Sequence, residues 1–86
     1  MMFNAFVLLN CDIGTEGAII NQMNTIPGVS EAVRVSGVYD IVAKLSDESK
    51  NKVSLLVKKI RAIANIRSIL TMIVASENAP KQLEVI

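Results

Sequence analysis

The sequence predicts an α+β fold in the order β-α-β-β-α-β, and three observations carry this. The 86-residue chain opens on an apolar run, Phe3–Cys11, too short for a membrane span and right for a buried strand. Two later segments place apolar residues at helical spacing. The chain also repeats itself loosely. A strand and a helix lead through Ile26-Pro27-Gly28-Val29 into a strand, and a second strand and helix lead through Ile63-Ala64-Asn65-Ile66 into another.

The first strand, residues 3–11, is apolar on both faces: Phe3, Ala5, Val7 and Leu9 on one, Phe6 and Leu8 on the other. Asp12-Ile13-Gly14 breaks it. Thr15 is placed to cap a helix and Glu16 to meet its dipole. That helix runs to about Thr25, with Ala18, Ile19, Ile20, Met23 and Ile26 as its stripe, and Pro27-Gly28 stops it. Val29–Ser36 and Tyr39–Leu45 read as a central hairpin with Gly37 at the reversal, where positive φ is cheap for glycine. Ser46-Asp47-Glu48-Ser49 supplies caps and early negative charge for a second helix, about 48–63, with Val53, Leu56, Val57, Ile60 and Ile63 facing inward. Asn65 punctuates. Ile66–Ala75 is the last strand, with Ile66, Leu70, Met72 and Val74 on one face. Two interlocked right-handed βαβ units then give a ferredoxin-like fold: one four-stranded antiparallel sheet with both helices on one face. Residues 1–76 form the domain and 77–86 a C-terminal tail that pairs along a partner's edge or stays mobile.

Composition narrows the function. The formal net charge is +1, with nine basic and eight acidic residues, so no field exists to hold a polyanion. Phe3, Phe6 and Tyr39 are too few for a base-stacking platform. The absence of histidine removes the commonest general base and metal ligand. No Cys-x-x-Cys, metal-ligand cluster or glycine-rich phosphate loop is present. Cys11 reads as a small buried hydrophobe, and nothing marks two of Asp12, Asp40 and Asp47 as an acid–base pair. A non-enzymatic protein without cofactor or metal is expected. The N-terminus lacks the basic segment of a signal peptide, so a soluble, cytoplasmic protein away from membranes is expected.

Hydrophobic residues make up 51% of the chain and the mean hydropathy is +0.44. A domain this small buries only about 60–65% of its unfolded surface. The first and last strands do not alternate apolar with polar, as a sheet with one wet face should. The open sheet face is therefore expected to meet a second sheet in a homodimer.

One stretch carries more than fold. Ile26-Pro27-Gly28-Val29, followed by Glu31-Ala32-Val33-Arg34-Val35-Ser36-Gly37-Val38-Tyr39-Asp40-Ile41-Val42, strongly resembles the effector-binding (RAM) domain of the Lrp/AsnC regulators. The likeness continues through Ile60–Ile63 and Arg67–Val74 and covers about residues 3–76. The resemblance implies sheet-to-sheet dimers that assemble further into an octamer or similar ring, with an amino-acid effector held between dimers. By motif match Gly37, Tyr39 and Asp40 line that site, with Ser36 beside them and the small hydroxyls Thr71 and Ser68 from the last strand. Where the family commonly has a second threonine this chain has Ile69, which makes that wall more apolar. The chain starts at the first strand, without the family's helix-turn-helix. It thus resembles a stand-alone RAM protein that makes no direct nucleic-acid contact and has a full-length Lrp-type regulator as partner. Two other readings stay open: an interaction module with a vestigial pocket, and a small dimeric enzyme of the same fold.

Overall fold

A computed structural model describes residues 2–74 and the main chain of residues 83–85. The elements follow the expected order: β1 (Phe3–Cys11), α1 (Glu16–Met23), β2 (Val29–Arg34), β3 (Ile41–Asp47), α2 (Lys50–Arg61) and β4 (Ile66–Val74). A short β5 (Leu83–Val85) adds to these. The sheet order is β2-β3-β1-β4-β5, and every pairing is antiparallel. The expected four strands thus form the ferredoxin-like sheet, and β5 extends it at the β4 edge. Of the expected tail only Leu83–Val85 are described, and they pair with β4 of the same chain. The rest of the tail, and Ala75 at the expected end of the last strand, lie outside the described residues.

Register explains which face is covered. Val7 stands opposite Ala43 on one side and Thr71 on the other, and Leu9 opposite Ile41 and Ile69. Ala5, Val7, Leu9 and Cys11 alternate into the same buried cluster as Ile19 and Met23 of α1 and Val53, Leu56, Val57 and Ile60 of α2. Both helices therefore cover one face. Burying a large aliphatic side chain contributes about 1.5–3 kcal/mol, so Leu9, Ile19, Ile41, Leu45, Ile60 and Ile73, all fully buried, dominate the stability.

The other face carries an apolar row that crosses four strands. Val33 is opposite Val42, Val42 opposite Leu8, and Leu8 opposite Leu70. Phe6 sits in the next row between Lys44 and Met72. Polar pairs bracket this surface. The Ser46 hydroxyl donates to Asn4 Oδ1 at 2.6 Å, and Asn10 Nδ2 donates to Ser68 Oγ at 3.3 Å.

Several local expectations are corrected. Thr15 occupies the N-cap position of α1, but its side chain makes no capping bond; the hydroxyl donates to the Asp12 carbonyl at 2.6 Å. No acidic residue lies in the first turn of α2, because Asp47 ends β3 and Glu48 precedes the cap; Ser49 caps by accepting from Lys52 N–H at 3.1 Å. Ile66 does not share a face with Leu70. A register shift at Asn10/Cys11 sets Ile66 opposite Cys11, so Ile66 and Ile69 both pack on the core. The repeat is visible in the backbone: Gly28 and Asn65, the matching positions of the two helix-to-strand turns, both have positive φ, 101° and 73°. Glycine and asparagine are the residues that tolerate this region.

Candidate ligand-binding site

The reversal between β2 and β3 is wider than a tight hairpin. β2 stops at Arg34 and β3 starts at Ile41, so Tyr39 and Asp40 belong to a loop, residues 35–40, rather than to the strand. Main-chain bonds set this width. Val35 N–H donates to the Asp40 carbonyl at 2.9 Å, and Asp40 N–H donates to the Leu9 carbonyl at 3.0 Å. Gly37, at φ 136°, turns the chain between them in a conformation other residues rarely adopt.

The Asp40 side chain joins the same framework. Its Oδ2 accepts from the Cys11 N–H at 3.0 Å in a half-buried bond. The loop is thus laced to the last residues of β1. Its own apex is open: Ser36 and Gly37 are exposed and Tyr39 is half-buried. Among the described residues, the main-chain N–H groups from Ser36 to Tyr39 have no partner. Asp40 Oδ1 has none either.

Ser68 stands at the same end of the sheet, across β1 from the loop, where it faces Asn10. Five of the expected residues, Ser36, Gly37, Tyr39, Asp40 and Ser68, therefore gather at one end. Thr71, the other hydroxyl expected from the last strand, does not join them. It is fully buried on the helix-covered face opposite Val7, three residues further along β4, and its Oγ1 has no hydrogen-bond partner among the described residues. The reason is strand parity: Ser68 and Leu70 share the open face, and Thr71 shares the other with Ile73.

The sequence reading missed other groups at this end. Asn10 is the polar end of the open-face row that starts at Phe6, a position legible from the two-residue period. Asp12 faces Arg67 at 3.7 Å and Glu16 faces Arg34 at 4.0 Å. These exposed pairs are worth about 0–1 kcal/mol each and serve as local charge more than as glue. Asp12 N–H donates to the Asn65 carbonyl at 3.0 Å, which ties the turn after β1 to the turn before β4. That pairing had no sequence signal. Chemically, the loop offers unpaired N–H donors suited to a carboxylate and one free carboxylate oxygen suited to an ammonium, within one short segment. Among the described residues no group of three or more His, Cys, Asp or Glu could hold a metal ion. No helix among them is long and apolar enough to cross a membrane.

Known proteins share this fold. A solved structure from Pyrococcus horikoshii, described as a hypothetical protein, superimposes with a TM-score of 0.82 at 28% identity, covering 88% of this chain and 93% of that one. The structure titled FFRP-DM1 gives a TM-score of 0.77 at 29% identity over 83% of this chain and 96% of that one. Escherichia coli AsnC shares the fold, with a TM-score of 0.77 at 22% identity over 93% of this chain and 55% of its own. Among curated proteins, the homocitrate synthase of Sulfurisphaera tokodaii is 35% identical over 57 residues, 66% of this chain but 12% of that enzyme. The Saccharolobus solfataricus homocitrate synthase is 31% identical over 71 residues, 81% of this chain and 15% of the enzyme. The chain thus spans a small fraction of the curated relatives it matches. A family model described as the Lrp/AsnC ligand binding domain matches residues 4–82, and the chain belongs to that family.

Proposed function

We propose that this chain is a non-enzymatic, amino-acid-binding oligomerisation unit whose assembly responds to its ligand. The observation that supports this best is the loop 35–40. It combines unpaired N–H donors with a carboxylate already anchored to β1, which suits both charges of a zwitterion. In this reading Ser36, Gly37, Tyr39, Asp40 and Ser68 line the site. The apolar row Val33-Val42-Leu8-Leu70, rimmed by the Asn4–Ser46 and Asn10–Ser68 pairs, meets the same face of a second copy. An apolar centre inside a polar rim is the usual anatomy of a stable contact. Dimers then assemble into larger rings, an octamer or similar. A binding site between copies links ligand to assembly by mass action. The partner is a regulator of the Lrp type, joined by mixed assembly, and the setting is cytoplasmic.

The homocitrate synthase matches favour a second reading of the partner. Related sequence forms a small segment of a biosynthetic enzyme. A ligand-sensing unit of this kind then regulates an enzyme by contact rather than a DNA-bound complex.

Calorimetric titration of the purified chain with each of the twenty amino acids tests the ligand. Heat is expected for at least one, and Asp40→Asn should weaken it. A folded oligomer that binds none of them reduces the chain to an interaction module. Leu8→Lys, in the middle of the open face, should yield monomers in light scattering.

A further inference from the structure

Charge is unevenly spread over this chain. Five of its nine lysines and arginines lie on α2: Lys50, Lys52, Lys58, Lys59 and Arg61, on a helix with no acidic residue. The other four basic residues share the rest of the chain with all eight acidic ones. The net charge of +1 therefore hides a cationic helix on an anionic body. The helix dipole accounts for only part of this. Lys58, Lys59 and Arg61 sit in the last turn, where cations are favoured, but Lys50 and Lys52 sit in the first turn, where they are not. Among the described residues no acidic side chain pairs with Lys52, Lys58, Lys59 or Arg61.

The same helix carries an apolar side chain on its outer side. Val53, Leu56, Val57 and Ile60 are buried in the core, whereas Leu55 is 55% exposed. Residues three and four apart on a helix are neighbours, so Lys52, Lys58 and Lys59 surround Leu55. Ser54, Val57, Lys58 and Arg61 line a groove of about 110 Å³ along the adjoining flank. That is well below the roughly 300–1,000 Å³ of a small-molecule site. It has room for a carboxylate end between Lys58 and Arg61 rather than for a whole ligand. Both helices cover one face of the sheet, so a dimer formed through the other face leaves this side of α2 outward.

We propose that the outer face of α2 docks an acidic segment of a protein partner. Leu55 is its apolar anchor, Lys52, Lys58 and Lys59 meet the partner's carboxylates, and the groove takes one of them. Charge complementarity selects an anionic partner. Leu55 selects a polypeptide among anions, because a phosphate backbone offers nothing apolar to cover it. The other apolar residues of α2 are committed to the core, so the helix has no free apolar face to lay into a lipid surface. A single apolar centre inside a charged rim is the anatomy of a protein contact. The proposal depends on neither the loop 35–40 nor the open sheet face.

Fluorescence anisotropy tests this with a labelled synthetic peptide titrated with the full chain. The peptide has glutamates flanking leucines and about 12 residues, enough as a helix to run the length of α2. The expected result is saturable binding that weakens as salt is raised. Leu55→Gln should weaken it about 10-fold, the loss of one buried leucine. The triple change Lys52→Gln/Lys58→Gln/Lys59→Gln should weaken it further and flatten the salt dependence. All four positions are exposed, so both variants should melt as the wild type does. No saturable binding overturns the proposal. A leucine-free polyglutamate peptide that binds equally well overturns it, and so does Leu55→Gln binding like the wild type. Tighter binding of a double-stranded DNA oligonucleotide than of the peptide overturns it in favour of a nucleic-acid surface. Tighter binding of phosphatidylserine vesicles overturns it in favour of a membrane surface.

Discussion

The main-chain N–H of Cys11 donates to Asp40 Oδ2 at 3.0 Å, so the end of β1 and the loop between β2 and β3 form one piece. This bond gives Asp40 a structural task besides any contact with ligand. Asp40→Ala leaves a half-buried N–H without its partner. The expected cost is about 1 kcal/mol, reduced from the range for a charged acceptor because water reaches the site. Asp40→Asn keeps an oxygen acceptor and should cost less. Urea denaturation at fixed protein concentration measures both, and an equal loss in the two variants would show that charge, not acceptance, matters there.

Thr71 carries a buried hydroxyl with no partner among the described residues. Thr71→Val removes the unpaired group and nearly keeps the shape. Stability should rise by about 1–2 kcal/mol, which for a domain of this size is roughly 4–16 °C in Tm. Thermal melts monitored by circular dichroism decide it. If the variant is instead less stable, the hydroxyl has a partner in solution.

Gly28 combines two constraints. Its φ is 101°, and a Cβ placed on it would lie 2.6 Å from Leu56 Cδ1. Gly28→Ala should cost about 2 kcal/mol, part from the left-handed backbone and part from moving Leu56. Gly37, at φ 136°, has nothing within 4 Å of such a Cβ, so Gly37→Ala bears the backbone cost alone. A double-mutant cycle of Gly28→Ala with Leu56→Ala separates the two parts. The pair should be less destabilised than the sum of its singles, since the truncated side chain makes room for the methyl group.

Ser49 caps α2 through its hydroxyl, which accepts from Lys52 N–H at 3.1 Å. Ser49→Ala should lower stability by about 1 kcal/mol. The matching change Thr15→Ala removes a side chain that makes no capping bond to α1 but holds the Asp12 carbonyl. Its effect should appear in hydrogen exchange of the turn carrying Ile13 more than in α1.

The order of elements was legible because each signal is local. Alternation along Phe3–Cys11, the stripe Val53-Leu56-Val57-Ile60 and the breakers at Pro27-Gly28 and Asn65 depend only on neighbours a few residues away. So does the motif that gathers Ser36, Gly37, Tyr39 and Asp40. Parity also places Asn10 and Ser68 on one face. It was misread at Ile66, where the face is decided by pairing with β1. At the register shift one step along β1, Asn10 to Cys11, spans two along β4, Ser68 to Ile66, so Arg67 is the extra residue, and no local pattern marks it.

The amino-acid pattern alone was enough for the βαββαβ order, for strands apolar on both faces, and for the segment that marks the family. The ties of Asp40 to Cys11 and of Asp12 to Asn65 came only with the three-dimensional structure. Composition and period report what each residue prefers within a few neighbours. The bond from Asp40 to Cys11 joins residues 29 apart, and the one from Asp12 to Asn65 joins residues still further apart in the chain. Such bonds exist only after the sheet has closed and brought their partners to one end.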